Sequence, residues 1–380
     1  MHWTGTWTTS SAAIDGASIE NRTLRMLMRT SIAGKTVRAR LSNAHGSAPV
    51  LIGSASLSLR RGDGAAIEPG AQRKLTFGGE TAVTIAAGAL VLSDPVDLDL
   101  PALADVAITM FVPGCVKEIS GHKGARQTNY VSPPGDFSAS ADMPVGEEIE
   151  NWYFSTCIEV ATDASAFGIV AMGDSLTDAN ISTPNANVRW PDQLARRLVK
   201  ACGPHFAGVM NQGIGGNRIC YDVQADNGQK RFDRDVMAQP GATHLILLLG
   251  TNDLRNRRSI ANQEASAPAM IAGLKQLGAR AKTAGLQTCI GTLMPYEDET
   301  FVPGCWNPAR EKVRQAVNTW IRKAEVFDAV IDFDKALCDP EHPTRLLPKW
   351  DCGDHLHPSD LGYLHMGDVA ADFLLGAVFA

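Results

Sequence analysis

Residues 170–178 read VAMGDSLTD, an apolar stretch that ends in a polar turn. The apolar run begins at Phe167, and uninterrupted runs of this kind are typical of strands buried on both faces of a parallel sheet. Ser175 would then lie just past the carboxyl end of such a strand, where ligands bind in these sheets. Serine is also a common turn residue, so this stretch alone allows either a nucleophile or a structural serine.

The same rhythm of apolar strand and helix continues to the end of the chain. The predicted strands are FGIVAMG (167–173), GVMNQG (208–213), THLILLLG (243–250), LQTCIGTLM (286–294) and DAVIDF (328–333). Helical patterns cover 190–201, 267–285, 308–324 and 358–378. Strands that alternate with helices form a parallel sheet with helices on both faces. Residues 164–380 are therefore predicted to form a flavodoxin-like three-layer α/β/α domain.

The first 163 residues have a different pattern. KTVRARLSN (35–43) places Val37, Ala39 and Leu41 on one face and two arginines on the other. Similar short alternating runs follow, separated by Gly, Pro and Asp clusters, and WYFSTCIEV (152–160) is predicted to be the last strand. This pattern predicts an antiparallel β-sandwich, jelly-roll-like, over residues 1–163.

The bulk composition excludes some classes of partner. The chain has 380 residues and a net charge of −6, so it has no basic excess with which to bind nucleic acid or an anionic membrane surface. Its apolar runs are too short to span a bilayer. The N-terminus lacks a basic region followed by an apolar one, which favours the cytoplasm, although a trimmed secreted protein would look the same. The eight cysteines form no C-x-x-C pair. The sequence does not determine the oligomeric state.

Four polar, glycine-rich loops follow the predicted strands or lie near the C-terminus. They are Gly173–Leu176, NQGIGGNR (211–218), Gly250–Asp253 and CGDHLHPSD (352–360). Because parallel strands end at one edge of a sheet, we expect these loops to meet there. The acidic residues Asp174 and Asp253 are expected to brace turns through bonds to nearby backbone N–H groups.

Together these loops hold the groups that a serine hydrolase needs. Ser175 offers a hydroxyl, Asp354 and His357 offer a carboxylate and a base three residues apart, and Asn252 and Gly216 offer N–H donors for an oxyanion. His355 competes with His357 for the role of base, and the residues alone do not decide between them. A metal site on Asp354 and the two histidines lacks a convincing further ligand, so no metal and no cofactor are expected.

These blocks resemble those of the SGNH (GDSL) hydrolases: Gly-Asp-Ser-Leu, a loop glycine, Gly-x-Asn-Asp and Asp-x-x-His, in order over residues 168–378. The resemblance implies Ser175 as nucleophile and Asp354 and His357 as the other members of the triad, which favours His357 over His355. It also implies an oxyanion hole made by the N–H groups of Ser175 and Gly216 and by the side chain of Asn252.

The N-terminal half of the chain resembles one particular branch of this family. RLSNAHGSAP (40–49) and GHKGARQTNYVSPPGD (121–136) are similar to the acetylxylan-esterase-like branch, in which a β-sandwich precedes the hydrolase domain. This implies hydrolysis of short-chain, acetyl esters on a carbohydrate, with a small-molecule or oligosaccharide ester as the partner. Alternatives are a thioesterase, lysophospholipase or acyltransferase on the same site, or a carbohydrate-binding protein with an inactive hydrolase domain.

Overall fold

The computed structural model describes residues 2–255, 260–261, 263, 266–323 and 326–377. The chain folds into two compact units. The first comprises Met1–Ala166, Pro184–Asn187 and Cys202–Gly208. The second comprises Phe167–Thr183, Val188–Ala201 and Val209–Ala380.

The N-terminal part of the chain is built from β-strands. In chain order they are β1 (His2–Thr8), β2 (Ala12–Ile14), β3 (Ile19–Arg29), β4 (Gly34–Ser42), β5 (Val50–Ile52), β6 (Ser54–Leu59), β7 (Arg73–Leu75), β8 (Val83–Ile85), β9 (Leu90–Leu92), β10 (Val96–Leu100), β11 (Asp105–Val116), β12 (Ile119–Lys123), β13 (Asn129–Pro134), β14 (Glu147–Ile149), β15 (Asn151–Tyr153) and β16 (Ser155–Thr162). A short 3₁₀ helix covers Pro69–Ala71.

Two larger antiparallel sheets form this unit, with two smaller ones beside them. The first has the order β1-β16-β4-β10, with β9 also paired to β4, and the second has the order β14-β13-β3-β11-β6-β7. The smaller sheets are β15-β12-β2 and β5-β8. One hydrophobic core takes side chains from both larger sheets, for example Val37 and Ile158 from one and Met26 and Met110 from the other. The predicted antiparallel sandwich is therefore confirmed.

The alternation in β4 explains how the strand is placed. Val37, Ala39 and Leu41 are fully buried, whereas Arg38 and Arg40 lie on the opposite face. Both arginines form ion pairs with Glu159 of the neighbouring strand β16. The ion pairs on the polar face favour the pairing of β4 with β16. Burial of the apolar side chains determines which face of β4 is turned towards the core.

One predicted strand of this unit is wrong. WYFSTCIEV (152–160) forms two strands, because Phe154 has a φ of 57° and interrupts the extended backbone. β15 pairs with β12, whereas β16 pairs with β1 and β4. The left-handed backbone at Phe154 passes the chain from one sheet to another, and the buried phenylalanine ring anchors the turn in the core.

From Phe167 the chain alternates strands and helices. The strands are β17 (Phe167–Gly173), β18 (Ala207–Gly213), β19 (His244–Leu248), β20 (Gln287–Gly291) and β21 (Ala329–Ile331). The helices are α1 (Ser175–Asp178), α2 (Trp190–Cys202), α3 (Gly228–Phe232), α4 (Thr251–Arg255), α5 (Ala267–Thr283), α6 (Pro308–Ile321), α7 (Phe333–Leu337) and α8 (Asp360–Ala377), with a π-helical turn at Asp233–Met237 and a 3₁₀ helix at Pro348–Trp350.

These strands form one sheet with the order β18-β17-β19-β20-β21. β17 pairs with β19, β19 with β20 and β20 with β21, each in parallel. Counted within the sheet the order is 2-1-3-4-5, which is the flavodoxin-like arrangement. Ile169, Val170, Ala171 and Met172 are all fully buried, so both faces of β17 are covered as its continuous apolar sequence predicts.

The long helices lie close to their predicted positions. α5 begins after the N-cap Ser266 and α6 after the N-cap Asn307, each with a proline in its first turn. α8 begins at Asp360 rather than at the predicted 358. The predicted helix ends at 324 and 378 fall outside the described residues. No helix in the described part of the chain has both the length and the apolar character needed to cross a membrane.

The strand order determines where a site can form. β18 lies on one side of β17 and β19 on the other, so the chain reverses its direction of winding at β17. In sheets of this type the crevice for a ligand opens at this reversal, beyond the carboxyl ends of the strands. Ser175 follows β17 at the start of α1, and Asn252 follows β19 at the start of α4, so both lie at that crevice.

Candidate active site

Ser175 is the first residue of α1, directly after β17. Asp174 caps this helix, because its Oδ1 accepts a 3.0 Å hydrogen bond from the N–H of Leu176. Gly173 has no room for a side chain, since an added Cβ would lie 2.1 Å from Thr177 Oγ1 and 2.6 Å from the Leu248 carbonyl oxygen. The turn from β17 into α1 therefore requires glycine at position 173 and is capped by Asp174. This tightly packed turn holds Ser175 in a fixed position.

A chain of hydrogen bonds links Ser175 to the C-terminal loop. His357 Nε2 lies 3.0 Å from Ser175 Oγ, and His357 Nδ1 lies 2.6 Å from Asp354 Oδ2. The backbone N–H of His357 donates a further 2.7 Å bond to Asp354 Oδ1. Ser175 is 5% exposed and His357 is 1% exposed, so water has little access to these bonds. The structure thus brings together the three residues that the sequence predicted as a triad.

The charge of Asp354 determines which histidine nitrogen carries the proton. Burial opposes the ionisation of Asp354, but bonds from the His357 ring and from the backbone N–H groups of His357 and Leu356 outweigh it and hold the pKa well below its ordinary value. A charged carboxylate can only accept hydrogen bonds, so His357 Nδ1 must carry the proton. In the neutral ring Nε2 is then free to accept the proton of Ser175 Oγ.

His355 forms a separate pair and does not bond Ser175 in the described structure. Its Nδ1 lies 2.5 Å from Asp351 Oδ2, and 45% of its side chain is exposed. The backbone of His355 has a φ of 61°. This left-handed turn makes the side chain of His355 point in a different direction from that of His357, two residues later. Of the two histidines that the sequence left as alternatives, the geometry favours His357 as the base.

The loops that carry the predicted oxyanion donors are joined to one another. The N–H of Ile214 donates to the Gly173 carbonyl oxygen at 3.2 Å, which ties the loop after β18 to the end of β17. Asn252 Nδ2 donates to the Asn217 carbonyl oxygen at 3.2 Å, which ties the same loop to α4. Gly216 lies between these two bonds with a φ of 75°, a conformation that favours glycine.

Asp253 braces the same loop, as its sequence position predicts. Its carboxylate accepts hydrogen bonds from the backbone N–H groups of Ile219, at 2.7 Å, and Cys220, at 3.2 Å. Burial raises the pKa of Asp253 to about 6, and it raises the pKa of Asp174 to about 7. Two buried carboxyl groups with raised pKa values therefore lie next to Asn252 and Ser175 in the sequence.

A second group of residues near the site, on α4 and in the loop after β20, was not predicted from the sequence. The Arg255 guanidinium donates to Asn252 Oδ1 at 3.1 Å and forms an ion pair with Glu299, whose shortest distance is 2.7 Å. The Phe301 ring lies edge-on to the His357 ring, with 5.6 Å between ring centres. A signal was present, because a loop that follows a parallel strand also lies at the carboxyl edge of the sheet.

One group of side chains in the described part of the chain brings metal-binding atoms close together. Asp351, Cys352 and Asp354 have ligand atoms within 4.8 Å of one another. Asp351 already bonds His355 and Asp354 already bonds His357. Each of these carboxylates therefore already has a histidine as its hydrogen-bond partner.

The sheet order and the four loops at its carboxyl edge define a hydrolase domain of the GDSL type. The family model for the GDSL-like lipase/acylhydrolases matches residues 169–370, more than half of the chain. The chain therefore belongs to this family. Nothing among the curated proteins matches it.

Several solved structures are similar to the chain. A GDSL-like lipase from Bacteroides thetaiotaomicron is 18% identical, covering 55% of this chain and 88% of that one, with a TM-score of 0.42. A carbohydrate acetylesterase from Sinorhizobium meliloti is 15% identical, covering 55% and 98%, with a TM-score of 0.41. A catalytic mutant of an acetylxylan esterase from Geobacillus stearothermophilus is 19% identical, covering 55% and 94%, with a TM-score of 0.42.

Proposed function

We propose that the chain is a serine esterase that cleaves carboxylic esters through an acyl-enzyme. The observation that carries this proposal is the buried chain of hydrogen bonds from Ser175 through His357 to Asp354. A nucleophile, a base and a group that orients the base are the parts that acyl transfer to serine requires. Residues 164–380 would form the catalytic domain and residues 1–163 a separate β-sandwich domain.

Acylation begins at the Ser175 hydroxyl. Ser175 Oγ attacks the ester carbonyl carbon while His357 Nε2 takes the hydroxyl proton, and the imidazole becomes positively charged. Asp354, held as the carboxylate, stabilises that charge and keeps the ring in the required orientation. The product of this step is a tetrahedral intermediate whose former carbonyl oxygen carries the negative charge.

Three N–H groups would bind that oxygen. They are the backbone N–H groups of Ser175 and Gly216 and the side-chain amide of Asn252. Removing one oxyanion donor typically lowers kcat by about 10²–10³. These donors belong to three segments, α1, the loop after β18 and α4, and hydrogen bonds join these segments together, which favours a fixed geometry without reorganisation during the reaction.

The intermediate collapses when the bond to the alcohol oxygen breaks. His357 Nε2 returns its proton to that oxygen, and the alcohol leaves an acyl group on Ser175 Oγ. Water then attacks the acyl carbon and gives its proton to His357. That proton passes back to Ser175 Oγ as the carboxylic acid departs, so the enzyme is regenerated.

For the substrate we propose a short acyl group, acetyl in the first place, on a carbohydrate. The resemblance of the N-terminal half to the acetylxylan-esterase-like branch supports this choice. The four site loops also contain few large apolar side chains, whereas a long acyl chain gains affinity only by burying methylenes, at roughly 0.8 kcal/mol each. The same site could act on thioesters or lysophospholipids, and comparing their turnover with that of acetyl esters distinguishes these alternatives.

Pre-steady-state kinetics with p-nitrophenyl acetate tests the proposal. An acyl-enzyme predicts a burst of p-nitrophenol that approaches one equivalent of enzyme, followed by a slower steady state. The matched control is Ser175→Ala, which should show neither phase above background. A wild-type chain that gives no turnover on any ester, but binds oligosaccharides, would instead be a carbohydrate-binding protein with an inactive hydrolase domain.

A further inference from the structure

An asparagine amide can serve as an oxyanion donor only if its nitrogen end faces the substrate. The two ends of the amide have nearly the same shape, and hydrogen-bond partners decide between them. In this structure Arg255, three residues after Asn252 on α4, donates from its guanidinium to Asn252 Oδ1 at 3.1 Å. Arginine has no acceptor, so it can bond only the oxygen end. The nitrogen end is thereby turned the other way, towards the loop that carries Gly216.

Arg255 is itself held on its other side by Glu299. The guanidinium donates to the carboxylate from Nε to Oε1 at 3.1 Å and from Nη2 to Oε1 and Oε2 at 2.9 and 2.7 Å. The Arg255 side chain is 2% exposed and that of Glu299 is 0% exposed. A buried ion pair is a weak source of stability, because the loss of hydration offsets most of the attraction. Its two-point geometry, however, fixes the direction of the guanidinium.

Residues next to Glu299 contact the other half of the site. The backbone N–H of Thr300 donates to the Asp354 carbonyl oxygen at 2.9 Å. The ring of Phe301 packs edge-on against His357. Three consecutive residues of one loop therefore contact three parts of the site. Glu299 pairs with Arg255, which bonds the oxyanion donor, Thr300 bonds Asp354, and Phe301 packs against His357.

We infer that Arg255 and Glu299 are positioning residues, which hold the Asn252 amide with its nitrogen towards the oxyanion. The inference rests on the proposed function, in which Asn252 is a donor. Because the oxyanion forms only during the reaction, loss of this support should lower kcat and leave KM nearly unchanged. The loss in kcat should be at least about tenfold and no larger than the loss caused by Asn252→Ala.

A double-mutant cycle on p-nitrophenyl acetate tests this route. The variants are Arg255→Met, Asn252→Ala and the double variant, with kcat, KM and Tm measured for each. If Arg255 acts through Asn252, the double variant should lose no more kcat than Asn252→Ala alone. Losses that multiply in the double variant would overturn the inference.

A second variant separates positioning from stability. Arg255→Met alone leaves Glu299 buried without its partner, which destabilises the fold. Arg255→Met combined with Glu299→Gln removes both charges, so Tm should recover while the loss in kcat persists. Recovery of kcat to within about threefold of wild type would show that the pair is only structural.

Arg314 provides the matched control. It is another fully buried arginine, bonded to Glu311 and Asp334, and none of its hydrogen bonds reaches the triad or Asn252 in the described part of the chain. Arg314→Met should lower Tm and leave kcat within about threefold of wild type.

If Asn252→Ala keeps full activity, the proposed oxyanion hole is wrong. If Asn252→Ala is impaired and Arg255→Met is not, only the positioning role is wrong.

Discussion

His357 Nε2 lies 3.0 Å from Ser175 Oγ, although 182 positions separate the two residues in the chain. Both side chains are buried, and Asp354 holds the far side of the imidazole. The neighbouring histidine, His355, pairs with Asp351 instead, and 45% of its side chain is exposed. The loop therefore contains two Asp–His pairs, of which one touches the serine.

The two histidines should respond differently to substitution. His357→Ala should lose nearly all ester turnover, because in the described structure it is the residue whose ring is hydrogen-bonded to Ser175 Oγ as a base. His355→Ala serves as the control and should retain a substantial share of kcat. Steady-state kinetics of both variants checks this, and the reverse pattern would mean that the geometry assigns the wrong histidine.

The pH dependence of kcat/KM should show a loss of activity on the acid side. Only the neutral imidazole can accept the Ser175 proton, so activity falls as an essential histidine becomes protonated. Bonds to His357 outweigh the effect of burial and keep the pKa of Asp354 well below its ordinary value, so the carboxylate stays charged throughout this loss. A pH–rate profile with p-nitrophenyl acetate checks the shape, and activity that stays constant down to about pH 4 would contradict a histidine base.

Asp174 should make the fold less stable as the pH rises. Burial raises its pKa from 3.8 to about 7, so the folded protein keeps a proton that the unfolded chain releases. The stability that this proton contributes is complete below about pH 4 and is lost as the pH rises through about 7. Asp174→Asn preserves the acceptor for the Leu176 N–H and removes this loss.

Thermal melts of wild type and Asp174→Asn at about pH 5 and about pH 8 measure the effect. The Tm of the variant relative to wild type should increase between the two pH values. Asp253, whose pKa burial also raises, is present in both proteins, so its own contribution largely cancels in the comparison. A Tm difference that is the same at both pH values, or that shrinks at the higher one, would contradict a protonated Asp174.

Esters of short acyl chains should be turned over more efficiently than esters of long ones. Phe301 is the large, exposed apolar side chain seen next to His357, and a single ring can cover an acetyl or butyryl group but not a long chain. The measurement is kcat/KM for the p-nitrophenyl esters of acetate, butyrate, octanoate and palmitate. A maximum at octanoate or longer would reject the acetyl-esterase proposal in favour of a lipase or thioesterase.

Some features of the fold could be predicted because one local pattern determines them. FGIVAMG forms a strand over the predicted residues, since both faces are buried and every residue is apolar or small. WYFSTCIEV shows the opposite case, because the turn at Phe154 depends on which sheets receive the two halves. No periodicity in the sequence carries that information.

The site shows the same division. Ser175, Asn252 and the Asp354–His357 pair could be found because each lies in a polar, glycine-containing stretch of sequence that follows a predicted strand or lies near the C-terminus. The choice between His355 and His357 could not be made from the residues, because it depends on the backbone turn at His355. The Arg255–Glu299 pair joins α4 to a loop 44 positions further along the chain, and only the folded chain brings the two residues together.

The identity of the nucleophile is the most direct test of the proposed esterase. The chain should be incubated with a fluorophosphonate, which reacts covalently with activated serines, then digested and analysed by peptide mass spectrometry, with His357→Ala as the control. If Ser175 is the nucleophile, one adduct should form on Ser175, with loss of ester turnover, and its formation should be greatly slowed in the control. An adduct on another residue, or full inhibition with Ser175 unmodified, would contradict it.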